Sequence, residues 1–197
     1  MAAETFDVTS PVDKGGRLTL LKSGTSFSIH AVWPNLVKTS TLPPEGVRTR
    51  LIYGDRGAWE TFNGHDMDGV AVLMEFNSWN HWLNPASLGA GQIIFIEPDS
   101  TSHTEGEQKF LLSPNSTERF WIDKTSGRAL QRLLAEEGEV EVELHARMDW
   151  EKTLAHNILG TVPGTDPELK DQIVVINAYY DAMSVVPALA PGAEMAS

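Results

Sequence analysis

The sequence predicts a mixed α/β fold, and three observations support this class. Short runs rich in β-branched and aromatic residues recur along the chain. Two of them, at 69–76 and 91–98, are continuously apolar, which is typical of central strands buried on both faces. Helical patterns lie between and after these runs. With 197 residues, of which 41% are hydrophobic, the chain can form one domain, or one domain and part of another.

The N-terminal segment predicts a β-hairpin. Residues 17–21 and 26–33 alternate in polarity and are separated by a glycine-containing turn. A connector rich in Thr and Pro follows at 39–46, and its two adjacent prolines favour an extended linker over a helix. We therefore predict a domain boundary here, with residues 1–44 forming N-terminal strands and a linker.

The central segment predicts strands joined by a helical crossover. Residues 50–54, 69–76 and 91–98 are apolar runs that end in turn residues. Residues 82–90 predict a short helix that ends at Gly89, so the two strands on either side of it should be parallel. Residues 100–116 are polar and rich in Ser and Thr, which predicts an excursion over the surface.

A second helix is predicted near the end of this region. It follows a strand at 119–122, opens at Thr125 or Ser126 and closes at Gly138. Its last residues, Glu136 and Glu137, are unfavourable beside the negative end of the helix dipole, and we attribute them only to surface tolerance. Residues 139–144 then alternate glutamate and aliphatic residues, which predicts a half-exposed strand with three solvated carboxylates, on Glu139, Glu141 and Glu143.

The order of these elements resembles that of the protease-associated (PA) domain. The similar segments are residues 68–74, 87–96 and 120–130. The resemblance implies a swivelling β/β/α domain with two short helices over residues 45–147. Such a module is often inserted in peptidases of the M28 family, where it shapes access to the neighbouring cleft.

The C-terminal segment resembles the opening of an M28 zinc aminopeptidase domain. Residues 153–165 are similar to the first strand of that domain and to the Pro-Gly turn after it. Residues 172–181 form an apolar run that ends in Ala-Tyr-Tyr-Asp, where the family has Ala-His-x-Asp before its metal site. A later turn, at 190–194, reads Ala-Pro-Gly-Ala-Glu. The resemblance implies that residues 148–197 form the incomplete start of an M28-like α/β sheet.

The same resemblance implies which residues stand at metal-ligand positions. Asp181 and Glu194 occupy positions of zinc ligands, whereas Tyr179 stands where the family has a histidine. A phenol with a pKa near ~10 is a poor zinc ligand at neutral pH, so we treat Tyr179 as a degenerate position. The family's other ligands and its general base lie beyond Ser197. We therefore expect no cofactor in this chain, and zinc only in a longer one.

Composition excludes several classes of function. A formal charge of −12 disfavours binding to nucleic acid and to anionic membranes. The absence of cysteine excludes thiolate catalysis and disulfides. No apolar run reaches the ~18 residues of a transmembrane helix, and the first five residues lack the pattern of a signal peptide. The compartment stays open, although the family resemblance slightly favours an extracytoplasmic location.

Two short segments are candidate binding sites. Trp79, His81 and Trp82 form an aromatic cluster that could recognise a peptide or a sugar. The alternative, which we favour, is that one tryptophan caps the core and the other packs on a neighbouring domain. Residues 65–68, His-Asp-Met-Asp, could hold a cation, but a polar turn before a buried strand explains them better.

These observations support three hypotheses of function. The first is a non-catalytic interaction or substrate-guiding PA portion of an M28 peptidase-like protein, a pseudoenzyme whose partner is the rest of that domain or a peptide or protein. The second is part of an active zinc aminopeptidase, a hydrolase, whose other ligands lie outside this chain. The third is a carbohydrate- or peptide-binding β-domain. The apolar run at 173–176 also predicts an exposed strand edge and oligomer formation through it.

Overall fold

A computed structural model describes residues 2–34, 38–109, 115–169 and 171–178. Its contacts divide the chain into two compact units. The larger unit is Pro11–Asp149, and the smaller contains residues 2–10 and the described residues from 150 onwards. Within the described residues no helix is long and apolar enough to cross a membrane.

Seven strands form one mixed sheet that closes into a barrel, which confirms the predicted α/β class. Their order in the sheet is β1-β2-β6-β5-β4-β3-β7. The strands are β1 (Ala2–Leu20), β2 (Ser26–Ala31), β3 (Val47–Tyr53), β4 (Ala71–Glu75), β5 (Gln92–Ile96), β6 (Glu118–Ile122) and β7 (Glu139–Leu159). The helices are a 3-10 turn (Trp59–Phe62), α1 (Leu83–Ser87), α2 (His103–Glu107) and α3 (Lys124–Glu137).

The parallel centre of the sheet agrees with the sequence pattern. β4 pairs in parallel with both β3 and β5, and β5 pairs in parallel with β6. The parallel β4–β5 pair predicted around α1 is therefore confirmed. At the N-terminal side, β1 and β2 pair antiparallel, as the predicted hairpin requires. Both strands belong to the same sheet as β3 to β7, and the predicted domain limits at 44/45 and 147/148 stay predictions.

Alternate residues of the central strands enter two different apolar clusters. Leu73 and Ile94 pack with α3 residues in one cluster. Met74 and Phe95 pack in the other cluster with Trp82, which immediately precedes α1. Burial on both faces is the physical reason for the continuous apolar runs in the sequence.

Three features differ from the sequence-based predictions. Helix α3 begins at Lys124, because Asp123 is its N-cap and accepts a hydrogen bond from the Ser126 amide at 3.0 Å. The predicted surface excursion contains α2 and the fully buried Lys109, so it is only partly a surface segment. The predicted strand at 139–144 is only the beginning of β7.

The C-terminal part of the smaller unit also corrects a prediction. Residues 172–178 have no regular secondary structure, and the apolar side chains of Ile173 and Ile176 are 87% and 91% exposed. The strand predicted there is absent from the described part of the chain, because no described strand pairs with it. In the same unit, the Asn157 side chain donates to Glu4 at 3.3 Å.

Candidate functional site

The aromatic segment lies in the loop between β4 and α1, and its main exposed residue has an unusual backbone. Trp79 has φ = 52°, a left-handed conformation that costs of order 1–3 kcal/mol for a bulky residue. Its side chain is 45% exposed. His81, two residues later, is exposed as well. A strained backbone that presents an aromatic ring to solvent needs support from the surrounding structure.

An ion pair between a buried lysine and a half-buried glutamate provides that support. The Glu105 carboxylate accepts a hydrogen bond from the Trp79 amide, and the Lys109 ammonium donates to the Trp79 carbonyl. Lys109 and Glu105 are also 2.9 Å apart and pair with each other. We call this arrangement the Glu105–Lys109 clamp. Both backbone polar groups of Trp79 are therefore held by charged partners, which make hydrogen bonds stronger than neutral ones.

The ammonium of the clamp lies in an aromatic environment. The Lys109 side chain is fully buried, and its Nζ is 5.2 Å from the ring centre of Phe76 and 5.5 Å from that of Phe95. Burial lowers the pKa of Lys109, while the hydrogen bond and the charge of Glu105 oppose this shift. Cation–π attraction and the carboxylate thus compensate part of the cost of desolvating the ammonium.

Trp82 is a core residue and cannot form part of a binding surface. Its side chain is fully buried, and its indole N–H donates to the Gln108 carbonyl at 2.8 Å. The Arg119 guanidinium stacks 4.9 Å from its ring centre and donates to the carbonyls of Lys109 and Trp33. Burial lowers the pKa of Arg119 to about 10. One half of the favoured alternative, a tryptophan in the core, is confirmed for Trp82. Packing of the other tryptophan on a neighbouring domain stays a prediction, and so does a binding surface that contains Trp79 and His81.

A polar cluster that no sequence pattern indicated lies at the carboxyl ends of β3 and β4. The Tyr53 hydroxyl donates to Glu75 Oε1 at 2.7 Å, and Arg128 of α3 binds both oxygens of the same carboxylate. Burial, followed by the hydrogen bond to Glu75, raises the pKa of Tyr53. Burial alone would raise the pKa of Glu75, but hydrogen bonds from Arg128 and Tyr53 lower it overall. The only sign of this cluster in the sequence is Glu75, a glutamate near the end of the apolar run at 69–76.

Two of the three glutamates in the β7 stripe are paired, which corrects the expectation that the stripe is only solvated. Arg48 donates to Glu143 at 2.8 Å, and Arg50 donates to Glu139 at 3.1 Å. Both arginines lie on β3, the antiparallel neighbour of β7, so cross-strand geometry brings the charges together. Glu141 has no salt bridge among the described residues.

The predicted metal positions Tyr179, Asp181 and Glu194 lie outside the described residues. Within the described ranges, no group of three or more His, Cys, Asp or Glu side chains is placed to hold a metal ion. In the segment 65–68, the Asp68 amide donates to the Asp66 carboxylate at 3.3 Å, as the alternative of a polar turn implies.

Neither a protein-family model nor a curated protein matches the chain. Solved structures do match. An aminopeptidase from Aneurinibacillus sp. strain AM-1 has 16% identity and a TM-score of 0.50, over 79% of this chain and 36% of its own. A zinc aminopeptidase from Bacillus subtilis has 17% identity and a TM-score of 0.50, over 78% and 36%. A peptidase M28 precursor from Shewanella amazonensis SB2B has 12% identity and a TM-score of 0.50, over 79% and 40%.

These similarities concern the fold. The chain has an architecture that also occurs in these two aminopeptidases and in the peptidase M28 precursor, and it spans 36 to 40% of the length of the three structures. The chain therefore shares its fold with a part of each of these peptidases. The PA assignment of residues 45–147 and the altered ligand positions stay predictions.

Proposed function

We propose that this protein is an interaction or substrate-guiding module of a peptidase-like protein, and that Trp79 and His81 contact a peptide or protein partner without catalysis. The proposal is supported by an architecture shared with M28 aminopeptidases. In it, residues 45–147 serve as the PA-like part. The neighbours' activities belong to those proteins.

The observation that carries the proposal is the clamped, left-handed backbone of Trp79. An indole that is 45% exposed offers a large contact area and loses little entropy on binding when its backbone is already fixed. Backbone strain of this kind concentrates at functional sites. The Glu105–Lys109 clamp supplies the fixation, and it connects the exposed ring to the apolar cluster around Phe95.

The test is the binding of the purified chain to an array of extended peptides, compared with Trp79→Ala and with a matched control, Trp59→Ala. Trp59 is 51% exposed but lies on the 3-10 turn. We expect Trp79→Ala to weaken peptide binding by at least about tenfold, the size of an aromatic hot spot, and Trp59→Ala to leave it unchanged. Equal binding by all three proteins would contradict the proposal.

A second candidate function is part of an active zinc aminopeptidase. It is favoured by one observation, the similarity in fold to a zinc aminopeptidase of which this chain spans 36%. In that case Asp181 and Glu194 would join ligands from a longer chain. Stoichiometric zinc in a longer chain, measured by elemental mass spectrometry and lost in Asp181→Ala, would favour this candidate. Absence of zinc in both proteins would reject it.

The carbohydrate-binding alternative uses the same exposed ring. Binding of the wild-type chain to a glycan array, lost in Trp79→Ala, would favour it over a peptide partner.

We also propose an extracytoplasmic location, since one neighbour in fold is a peptidase precursor. Oligomer formation through the apolar residues at 173–176 is a further proposal, which size-exclusion chromatography with light scattering tests directly.

A further inference from the structure

A groove on the larger unit is lined by residues outside the Trp79 loop. It has a volume of about 520 Å³ and is formed by the turn after β1, the last turn of α3 and the first residues of β7. Its apolar lining includes Leu21, Leu133 and Val140, of which Leu21 is 38% exposed. The backbone holds the groove together, since the Leu21 amide donates to the Glu141 carbonyl at 3.0 Å.

The rim of the groove is acidic. Three carboxylates line it, those of Glu137, Glu139 and Glu141, against one ammonium, that of Lys22. Lys22 pairs with Glu137 at 3.0 Å, and Glu139 pairs with Arg50. Glu141 is exposed and has no salt bridge in the described part of the chain. One rim carboxylate is therefore left for an external cation.

The end of α3 adds to this negative potential. The helix ends in Glu136 and Glu137, and its last turn contains no basic residue. The negative end of the helix dipole makes these two glutamates locally unfavourable, and the sequence alone offers only surface tolerance as a reason. Local rules are commonly broken where a site needs the charge. Lys22 offsets part of this repulsion through its pair with Glu137, and a bound cation would offset more of it.

We infer that this groove, which we call the acidic groove, binds a basic and aliphatic peptide segment of a partner protein. The alkyl stems of arginine or lysine would lie on the apolar lining while their charged groups reach the rim. A guanidinium can contact a carboxylate through two parallel hydrogen bonds, which favours arginine over lysine. Anionic partners are disfavoured by the charge of the rim and by the formal charge of −12 on the whole chain.

The probe is a fluorescein-labelled, acetylated and amidated hexapeptide of alternating leucine and arginine, titrated with the full chain at low and at high salt. Two peptides serve as comparisons: serine replaces leucine in one, and glutamate replaces arginine in the other. We expect the leucine–arginine peptide to bind about tenfold or more tightly than either, with affinity that falls as salt rises. No detectable binding at low salt, or equal binding of the serine–arginine peptide, would overturn the inference.

Glu141→Lys locates the site, and Glu60→Lys is the matched control with the same change in net charge. Glu60 is also exposed, but it lies on the 3-10 turn outside the groove. We expect Glu141→Lys to weaken binding by about three- to tenfold and Glu60→Lys to change it much less. Equal weakening by both would mean non-specific attraction and would overturn the site. If Glu141→Lys does not fold, Glu141→Gln replaces it, with Glu60→Gln as its control. Trp79→Ala should not affect this peptide, so failure here is distinct from failure of the proposed function.

Discussion

The buried ammonium of Lys109 donates a hydrogen bond to the backbone carbonyl of Trp79, whose side chain is exposed. The same ammonium pairs with Glu105, which accepts from the amide of Trp79. The excursion after β5 is thus an integral support of the loop after β4. It determines where the exposed ring lies.

Lys109→Met should destabilise the protein. Methionine replaces the alkyl stem of Lys109 but not its ammonium, so the Trp79 carbonyl and the Glu105 carboxylate lose their hydrogen-bond donor. A buried polar group without a partner costs about 1–3 kcal/mol. Thermal or urea unfolding measures the change. Lys22→Met is the matched control, because Lys22 makes an exposed ion pair, which adds little to stability. Equal unfolding free energies for the two variants would contradict the role of the clamp.

The two tryptophans of the aromatic segment should differ sharply in their effect on stability. Trp82→Ala removes a fully buried ring and should lower the free energy of unfolding by about 3–5 kcal/mol. Trp79→Ala removes a ring that is 45% exposed and should cost less than about 1 kcal/mol. Urea unfolding of both variants tests the assignment. A larger loss for Trp79→Ala than for Trp82→Ala would contradict it.

Glu75 should make stability depend on pH in the acidic range. Its pKa is lower in the folded protein, so the unfolded chain binds more protons than the native one between the two pKa values. Its contribution is therefore present above the unfolded pKa of about 4.3, and it is lost as pH falls through the folded pKa. In Glu75→Gln, stability at neutral pH should fall by about 1–3 kcal/mol, and the acid dependence should flatten.

Unfolding free energies measured from pH 7 to pH 3 check this prediction. Glu60→Gln is the control, because Glu60 lies exposed on the 3-10 turn. An unchanged acid slope in Glu75→Gln would show that its pairing with Arg128 and Tyr53 does not govern the acid range.

The packing of α3 on the sheet predicts an effect of a single methyl group. A Cβ on Gly127 would lie 2.7 Å from Ile96 Cγ2 and 3.2 Å from Ile122 Cγ2. Gly127→Ala should therefore destabilise the protein by about 1–3 kcal/mol despite the better helix propensity of alanine. Gly160→Ala, where nothing lies within 4 Å, is the control. Thermal unfolding of both variants distinguishes overpacking from a general effect of alanine.

The sequence predicted the centre of the fold because local pattern and tertiary environment agree there. β4 and β5 are buried on both faces, and their apolar runs have no other stable position. The hydrophobic pattern did not predict burial that depends on contacts between residues distant in sequence. Lys109 lies in a polar segment, yet its burial depends on Glu105, on Phe76 just after β4 and on Phe95 of β5.

The candidate site could be predicted only in part, because contacts between residues distant in sequence also decide which of its side chains are exposed. Trp79 and Trp82 are three residues apart, and no sequence pattern distinguishes them. In the structure Trp79 is exposed and Trp82 is fully buried. The Tyr53–Glu75–Arg128 cluster joins two parallel strand ends and a helix, and no spacing in the sequence indicates it. The strand predicted from the apolar run at 172–181 does not form over its described part, residues 172–178, because no described strand pairs with it.

The most direct test of the central claim is the affinity of peptides selected on the array, measured for the wild-type chain, Trp79→Ala and Lys109→Met at a temperature where all three are folded. We expect both variants to bind at least about tenfold more weakly, although Lys109→Met retains the indole, because the ring binds well only when the Glu105–Lys109 clamp fixes its backbone. Wild-type affinity in both variants would contradict the claim that the clamped Trp79 is a recognition element.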